Sequence, residues 1–251
     1  MRFGLKLWST NSDTLPEAEQ LINQDVFQYI ELTPVPKTDM SPFLAYDLPY
    51  MIHITTERYG VNIANKKNHG FSLKIIHDCI DWADELNAKY MVLHPGFGEI
   101  EHSIELLSTL DDERILIENM PKTGMNNEVM VGYLPEQIER LMNKKFGFCF
   151  DLNHAIKAAI GLKMEYKAFI DSFLTLSPFY YHISDGDLNV EKDQHLNIGE
   201  GKYDLKYLMK SLNADSKTYM TIETPRTNIH SLKEDNINIQ KLKDIINSLT
   251  L

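Results

Sequence analysis

Eight short apolar segments recur along the chain, and their spacing is the feature that most constrains the fold. The predicted strands cover residues 3–8, 27–32, 50–55, 90–94, 114–118, 146–151, 179–182 and 219–223. Strands of this length and nearly continuous apolar character are typical of a parallel sheet that is buried on both faces. Most are followed by a helical pattern, and eight such units in 251 residues predict a single (β/α)8 TIM barrel.

The clearest helical pattern covers residues 71–88, in which apolar side chains recur at helical spacing. The other predicted helices cover residues 14–23, 100–110, 134–143, 164–176, 205–212 and 232–249. After the second strand, Pro34, Pro36 and Pro42 exclude a regular helix, so the second βα unit should be shortened. We see no linker, repeat or low-complexity segment, and we therefore predict one domain over residues 1–251.

Composition excludes some classes of function. The net charge of −11 comes from 25 basic and 36 acidic side chains, which argues against a broad basic surface for nucleic acid. Cations bound to the carboxylates would cancel part of that charge. Cys79 and Cys149 lie in apolar runs without metal-type spacing, and we expect two buried thiols in a reducing compartment. With no membrane-spanning segment or signal peptide in the sequence, we expect a cytoplasmic protein; no protein partner is implied.

Metal-binding residue types stand at the ends of six of the eight predicted strands. These residues are His53, His94, Glu118, Asp151, His182 and Glu223. The carboxyl ends of barrel strands meet at one mouth, where active sites are found. Any one of the six could be a hydrogen-bonded rim residue. Six together indicate a shared cation, because carboxylates packed this closely would otherwise repel one another.

Three more candidate ligands follow strand ends. His154 lies three residues after Asp151, and Asp193 and His195 precede a Gly199-Glu200-Gly201 turn. Side chains at i and i+2 of an extended segment point the same way, so Asp193 and His195 can converge on one cation. Asp and neutral His are good ligands for zinc-like ions. The spacing therefore predicts a metal site.

Other polar residues receive different assignments. Four histidines lie in predicted loops or helices, and we predict no ligand role for them. They are His69, His77, His102 and His230. We expect Asp185 and Asp187 to support the ligands or to lie on the surface. Four further residues are candidates to face the barrel mouth and contact substrate: Lys6, Glu31, Lys122 and Arg226.

Several short motifs contain these candidate ligands, in a fixed order along the chain. They are His94-Pro95-Gly96, Ile117-Glu118-Asn119, Asp151-Leu152-Asn153-His154-Ala155, His182-Ile183-Ser184-Asp185, Asp193-Gln194-His195 with Gly199-Glu200-Gly201, and Glu223-Thr224. Together they resemble the endonuclease IV family (AP endonuclease family 2), the metal-dependent branch of the xylose-isomerase-like barrels. The resemblance extends from His53 to Pro225.

The resemblance implies a centre of up to three divalent cations, zinc in the first instance, with manganese or iron as other ions that accept these ligands. His53, His94 and Glu118 would hold the first. Glu118, as a bridge, with Asp151, His182 and Glu223 would hold the second. His154, Asp193 and His195 would hold the third. Such a site cleaves a phosphodiester 5′ of an abasic sugar in DNA.

A second interpretation stays open at this point. Sugar isomerases and epimerases of the same superfamily bind one cation through a set that corresponds to Glu118, Asp151, His182 and Glu223. There the two glutamates also act as the catalytic acid and base. His53, Asp193 and His195 favour the hydrolase, since a one-metal isomerase does not need them.

The expected DNA-binding loops are altered in this chain. The connection after the second strand carries only Lys37 as a cation, and the segment from Ile54 to Tyr59 departs from the family pattern. Arg58 and Tyr59 could serve there as phosphate-binding and stacking groups, but we expect them to be surface residues of a shortened loop. The substrate is therefore either abasic-site DNA or a small phosphorylated or sugar molecule.

Overall fold

The eight predicted strands form a closed parallel barrel in a computed structural model that describes residues 1–212 and 214–249. Each strand pairs in parallel with the next, and β8 pairs with β1. The strands are β1 (Arg2–Trp8), β2 (Tyr29–Thr33), β3 (Tyr50–His53), β4 (Met91–Leu93), β5 (Ile115–Glu118), β6 (Gly147–Asp151), β7 (Tyr180–Ile183) and β8 (Tyr219–Ile222). The TIM-barrel prediction is confirmed, with most strand ends shifted by one or two residues.

Helices cover the outside of the barrel. They are α1 (Leu15–Asn23), α2 (Ser41–Leu44), α3 (His69–Glu85), α4 (Ile100–Leu107), α5 (Pro135–Met142), α6 (Leu152–Leu162), α7 (Tyr166–Leu174), α8 (Leu205–Ser211) and α9 (Lys233–Asn247). Short 3-10 turns span Ser9–Thr14, Glu57–Tyr59 and Lys66–Asn68. Among the described residues, none of the helices has both the length and the apolar character needed to cross a bilayer.

The predicted helix at 164–176 corresponds to α7, but the prediction missed α6, which lies between β6 and α7. The carboxylate of Asp151 accepts a hydrogen bond from the backbone N–H of His154 and so caps the start of α6. The first eight residues of α6 are all buried. A helix buried on every side lacks the amphipathic pattern by which helices are recognised in a sequence.

The second βα unit is shortened, as the prolines predict. Its helix α2 has only four residues, with a proline in its first turn. Phe43 in α2 is fully buried and packs against Tyr50 and Trp82, with ring centroids 6.5 and 5.8 Å apart. One aromatic side chain thus fills much of the space that a longer helix would cover.

Large side chains close the amino-terminal half of the barrel interior. This layer consists of Tyr29, Met51, Val92, Leu116, Cys149, Tyr180 and Tyr219. Gly4 makes room for it, because a Cβ at this position would lie 2.3 Å from the ring of Tyr29. Strand side chains alternate, so residues two positions further along point into the barrel nearer its carboxyl mouth. Those residues build the candidate site.

Candidate metal centre

All six predicted strand-end ligands face the barrel interior near its mouth. His53, Glu118 and Asp151 are the last residues of their strands, while His94 and Glu223 each follow a strand directly. Glu118 and His182 are fully buried, and Asp151 and His53 are almost so. The structure therefore brings together the residues that the strand pattern selected. Their role as ligands stays a prediction.

The carboxylate of Glu118 lies between two pairs of imidazoles. Its Oε2 atom is 3.2 Å from Nε2 of His53 and 3.1 Å from Nε2 of His94. Its Oε1 atom is 3.1 Å from Nδ1 of His182 and 3.3 Å from Nδ1 of His154. One carboxylate that presents a different oxygen to each side has the arrangement required of a bridge between two cations.

The second expected ligand set converges on His182. Its Nδ1 atom lies 3.1 Å from Glu118, 3.6 Å from Glu223 and 3.9 Å from Asp151. These four residues do not form one compact group by themselves. Instead His154 groups with Glu118 and Asp151, and Glu31 and His53 group with His182 and Glu223, each group within 4.8 Å.

The third expected set is compact. Ligand atoms of His154, Asp193 and His195 lie within 4.8 Å of one another. The Oδ1 atom of Asp193 is 3.1 Å from Nε2 of His195, and its Oδ2 atom is 3.6 Å from Nε2 of His154. His154 is in the first turn of α6, whereas Asp193 and His195 lie in the loop after β7. A helix and a loop thus supply this set.

Asp185 holds that loop in place. Its carboxylate accepts hydrogen bonds from the backbone N–H groups of Gly186, Gly199 and Tyr203 at 2.8, 3.0 and 3.2 Å. A Cβ at Gly201 would lie 2.2 Å from Oδ1 of Asp185. Asp185 is buried and organises the loop, while Asp187 pairs with Lys202. Both placements agree with the expectation that neither is a ligand.

The loop after β7 is also tied to the loop after β5. The Nζ atom of Lys192 donates to the backbone oxygen of Met125 at 2.7 Å. The hydroxyl of Thr123 donates to Glu191 at 2.5 Å. On its inner side, the amide of Asn153 donates to Asp193 at 2.6 Å. The segment that carries two ligands of the third set therefore depends on contacts between loops.

Each site histidine has its outer nitrogen engaged by a protein oxygen. Backbone oxygens of Ile54, Asn119 and Glu223 lie 3.0, 2.9 and 2.7 Å from Nδ1 of His53, His154 and His195. Because a carbonyl oxygen only accepts, Nδ1 carries the hydrogen and Nε2 presents its lone pair to the site. In His154 this Nδ1 also lies near Glu118, so the free nitrogen of the ring is the Nε2 that faces Asp193. Histidines that bind metals are typically oriented in this way.

The other two site histidines use carboxylates for the same purpose. Nδ1 of His94 is 2.9 Å from Glu57, which leaves Nε2 facing Glu118. His182 is the reverse, because its Nε2 is 2.9 Å from Glu31 and its Nδ1 faces the site. Five imidazoles with one nitrogen anchored and the other directed at carboxylates form a donor set that fits divalent cations.

Two of the four predicted mouth residues, Glu31 and Lys6, pair with candidate ligands of the site. Glu31 is fully buried beneath the ligands and does not face the mouth. Besides His182 it bonds Lys6, Tyr180 and Thr221 at 2.6, 2.6 and 2.7 Å. Lys6 is also 2.7 Å from Glu223. Lys6 and Glu31 are direct neighbours in the β1–β2 register, so alternation along these two strands could have predicted the pair.

The other two mouth candidates are engaged by the protein itself. Lys122 donates to the backbone oxygen of Gly161 at 3.0 Å. Arg226 pairs with Asp235 and donates to the backbone oxygen of Lys6. Cys149 lies in the layer below the site, grouped with Glu118 and His182, and burial raises the pKa of its thiol. Both cysteines are buried and free, as predicted.

Nearby carboxylates raise the pKa of four of the five site imidazoles, whereas burial lowers the pKa of His53. Burial lowers the pKa of His94, but Glu57 and Glu118 outweigh that effect and raise it to about 10. Burial also lowers the pKa of His195, but Asp193 outweighs burial and raises this pKa to about 9. Burial raises the pKa of Asp151 to about 6, with Glu118 and Glu223 adding to it. The carboxylates of this site thus require positive charge, which either protons or metal ions supply.

The four histidines without a predicted ligand role lie outside these groups in the described part of the chain. His69 and His102 bond the backbone oxygens of Ile63 and Ala64, and His230 pairs with Asp13. His77 is exposed on α3. Beside the centre, a cavity of about 560 Å³ extends from His94, His154 and Asp193 to a wall of Met120, Met125 and Met130.

Residues 43–246 match the family model described as a xylose isomerase-like TIM barrel. The chain belongs to this family. Among its curated relatives is a probable endonuclease 4 from Mycoplasmopsis synoviae (strain 53), which is 30% identical over 195 residues, 69% of each chain. A probable endonuclease 4 from Metamycoplasma arthritidis is 27% identical over 71% of this chain and 72% of its own. The resemblance seen in the motifs is confirmed.

Solved structures of the family show the same fold. Endonuclease IV from Thermus thermophilus superposes with a TM-score of 0.73 at 21% identity, over 99% of this chain and 100% of that one. A D-tagatose 3-epimerase-like protein superposes with a TM-score of 0.72 at 20% identity, over the whole of both chains. The fold is therefore common to proteins named for different reactions.

Proposed function

We propose that this chain is a metal-dependent phosphoesterase that hydrolyses a phosphodiester with up to three bound divalent cations. The observation that carries the proposal is the position of Glu118 between His53 and His94 on one side and His182 on the other. Clustered divalent cations neutralise phosphate charge, produce hydroxide near neutral pH and stabilise a leaving oxygen. No side chain is then needed as the nucleophile.

The protein residues have distinct roles in this proposal. His53, His94 and Glu118 hold the first cation, while Glu118, Asp151, His182 and Glu223 hold the second. His154, Asp193 and His195 hold the third. Glu31 and Glu57 fix the imidazoles of His182 and His94 through their outer nitrogens. Zinc suits this mixture of imidazole and carboxylate, and manganese and iron accept it too.

The substrate proposal starts from abasic-site DNA, because the curated relatives are named probable endonuclease 4. Few cationic side chains at the mouth are free to contact phosphates. Lys122 and Lys192 both donate to backbone oxygens. Arg58 borders the cavity and pairs with no carboxylate among the described residues. A cavity of this size also fits a small phosphodiester, which is the second substrate to assay.

The test measures metal ions per chain, by elemental analysis of protein purified without chelator, together with cleavage of an abasic-site duplex. We expect close to three ions per chain and cleavage that chelation abolishes. His195→Ala should lose one ion and most of the activity while the barrel stays folded, because this ligand lies in a loop. His77→Ala, on the exposed face of α3, serves as the control. Full metal content and activity in His195→Ala would show the third site to be wrong.

A second candidate function rests on the three carboxylates that surround Nδ1 of His182. A sugar or sugar-phosphate isomerase or epimerase could use Glu118, Asp151, His182 and Glu223 for one cation, with Glu118 and Glu223 as acid and base. One ion per chain, retained in both Asp193→Ala and His195→Ala, with conversion of a ketose, would select this reaction. Glu118→Ala abolishes activity under either proposal and cannot choose between them.

A further inference from the structure

Three cationic side chains border one pocket at the amino-terminal end of the barrel, opposite the metal centre. The pocket has a volume of about 430 Å³ and is lined by Arg2, Lys89, Tyr90, Phe179, Lys217 and Tyr219. Arg2 and Tyr219 are the first residues of β1 and β8, and Tyr90 and Phe179 directly precede β4 and β7. Residues at or directly before the starts of β1, β4, β7 and β8 therefore line this pocket.

Hydrogen-bond donors outnumber acceptors in this pocket. The hydroxyl oxygen of Tyr219 accepts from Nζ of Lys89 at 2.8 Å and from Nη1 of Arg2 at 3.2 Å. Both lone pairs of the phenol are then used, and its own hydrogen remains to be donated. No acceptor for that hydrogen is present among residues 1–212 and 214–249, although Tyr219 is only 4% exposed. An oxygen-rich ligand would supply what is lacking.

The cations of the pocket form no close ion pairs within the described part of the chain, although Asp215 is near enough to Lys217 for their charges to interact. Neither Arg2 nor Lys89 nor Lys217 forms an ion pair with any described residue, whereas Arg114, Arg140 and Lys145 all do. The carboxylate of Asp215 is bonded to the backbone N–H of Lys217 and to the hydroxyl of Thr218. In a chain with a net charge of −11, unpaired cations gathered at one pocket are not the result of a basic excess.

Aromatic rings form the rest of the pocket. The ring centroid of Tyr90 lies 5.2 Å from that of Phe179 and 5.5 Å from that of Tyr219. Nζ of Lys89 lies 5.2 Å from both the Tyr90 and Tyr219 ring centroids. A planar ring can pack against such a surface. A pocket of this volume accommodates a small molecule of nucleotide size.

We propose that this pocket binds a small organic phosphate that carries a planar ring. The phosphate oxygens accept from Lys89, Arg2 and the phenol hydrogen of Tyr219, with Lys217 adding charge at the rim. The ring packs against Tyr90 and Phe179. This site is separate from the metal centre, and the proposal does not depend on the reaction catalysed there.

Isothermal titration calorimetry with AMP as the probe tests the site. Each charge-assisted hydrogen bond contributes about 1.5–3 kcal/mol, so Lys89→Met should weaken AMP binding by about tenfold or more. Tyr219→Phe, which keeps the ring and removes the hydroxyl hydrogen, should also weaken it several-fold. Lys74→Met is the control, because Lys74 pairs with Asp78 on the exposed face of α3. Unfolding temperatures confirm that each variant is folded.

The metal centre also attracts phosphate, so the titration is repeated with Glu118→Ala. AMP binding of unchanged strength in Glu118→Ala, with loss in Lys89→Met, supports the pocket. Loss in Glu118→Ala with unchanged affinity in Lys89→Met places AMP at the metal centre and overturns the proposal. No detectable binding of AMP at millimolar concentration also overturns it. If inorganic phosphate or adenosine alone binds as tightly as AMP, the pocket does not require both a phosphate and a planar ring, and the proposed ligand class is wrong.

Discussion

Glu31 is the residue that connects the barrel interior to the metal centre. It is fully buried and receives hydrogen bonds from Lys6, Tyr180, Thr221 and His182. Burial alone would raise its pKa, but His182 and Lys6 outweigh that effect and hold the pKa well below its usual range. A carboxylate kept ionised in this position fixes which nitrogen of His182 faces the other ligands.

We expect Glu31→Gln to weaken cation binding by about 10- to 100-fold while leaving the barrel folded, because partners that orient a ligand commonly have effects of this size. The amide keeps the shape of the side chain but removes the charge that Lys6 and His182 share. Metal titration of chelated protein measures the change. Glu101→Gln, which alters an exposed pair with Arg140, is the matched control. Equal affinities in the two variants would assign Glu31 a purely structural role.

At the scale of elements, the loop after β7 is the weakest support of the centre. Gly201→Ala places a Cβ 2.2 Å from Oδ1 of Asp185 and 2.5 Å from the backbone nitrogen of Gly186, so the loop must move. We expect this variant to lose one cation per chain and to unfold several degrees lower. Gly70→Ala, in α3 with no atom within 4 Å of the new Cβ, is the control and should retain all cations.

Strand periodicity explains how much of the site the sequence reveals. Glu118 and Asp151 are found because each ends a predicted strand, whereas His53 lies two residues before the end of its predicted strand, 50–55. The depth of Glu31 is not found, since its strand continues past it to Thr33 and no terminal signal marks it.

Helix α6 was missed because its first eight residues are all buried, so that its polar residues Asn153, His154 and Lys157 face protein and not water. An alternation of exposed and buried residues reveals helices and strands that border water. The interior of the barrel does not border water, so its residues show no such alternation.

At the scale of the whole molecule, two groups of side chains of different charge lie at opposite ends of the barrel. Carboxylates and imidazoles gather at the carboxyl mouth, while Arg2, Lys89 and Lys217 border the pocket at the other end. The curated relatives and the solved structures fix the family and the fold. In the proposed function, the reaction depends on how many cations the mouth holds, and this number is set by strands and loops together.

Stability of the metal-free protein should depend on pH through His94. Its pKa in the folded protein is about 10 against an ordinary value of 6.5, so the folded state binds this proton more tightly than the unfolded chain. The resulting stabilisation is complete below about pH 6.5 and is lost as the pH rises through 10. We expect the unfolding temperature of chelated protein to fall across this window.

Two variants measure the share of that fall that belongs to His94. His94→Gln should make the decline between pH 6.5 and 10 shallower without abolishing it, because the pKa values of His154, His182 and His195 are raised as well. His77→Gln, which alters an exposed residue of α3, should leave the decline unchanged. Added zinc should oppose the decline, because bound cations replace the protons. Identical slopes in all three proteins would assign the pH dependence to other groups.

If the centre holds three cations as proposed, the contacts between the loops after β5 and β7 imply that these cations differ in residence time. Two ligand groups are built largely on strands and strand ends, which open only when the barrel unfolds. Asp193 and His195 instead lie on a segment held by Lys192, Thr123 and Asn153. Local opening of such a segment needs much less free energy than global unfolding. A chelator in rapid-mixing experiments should therefore remove one ion in a fast phase and the others slowly, and the enzyme would exchange one cation with its surroundings while it keeps two.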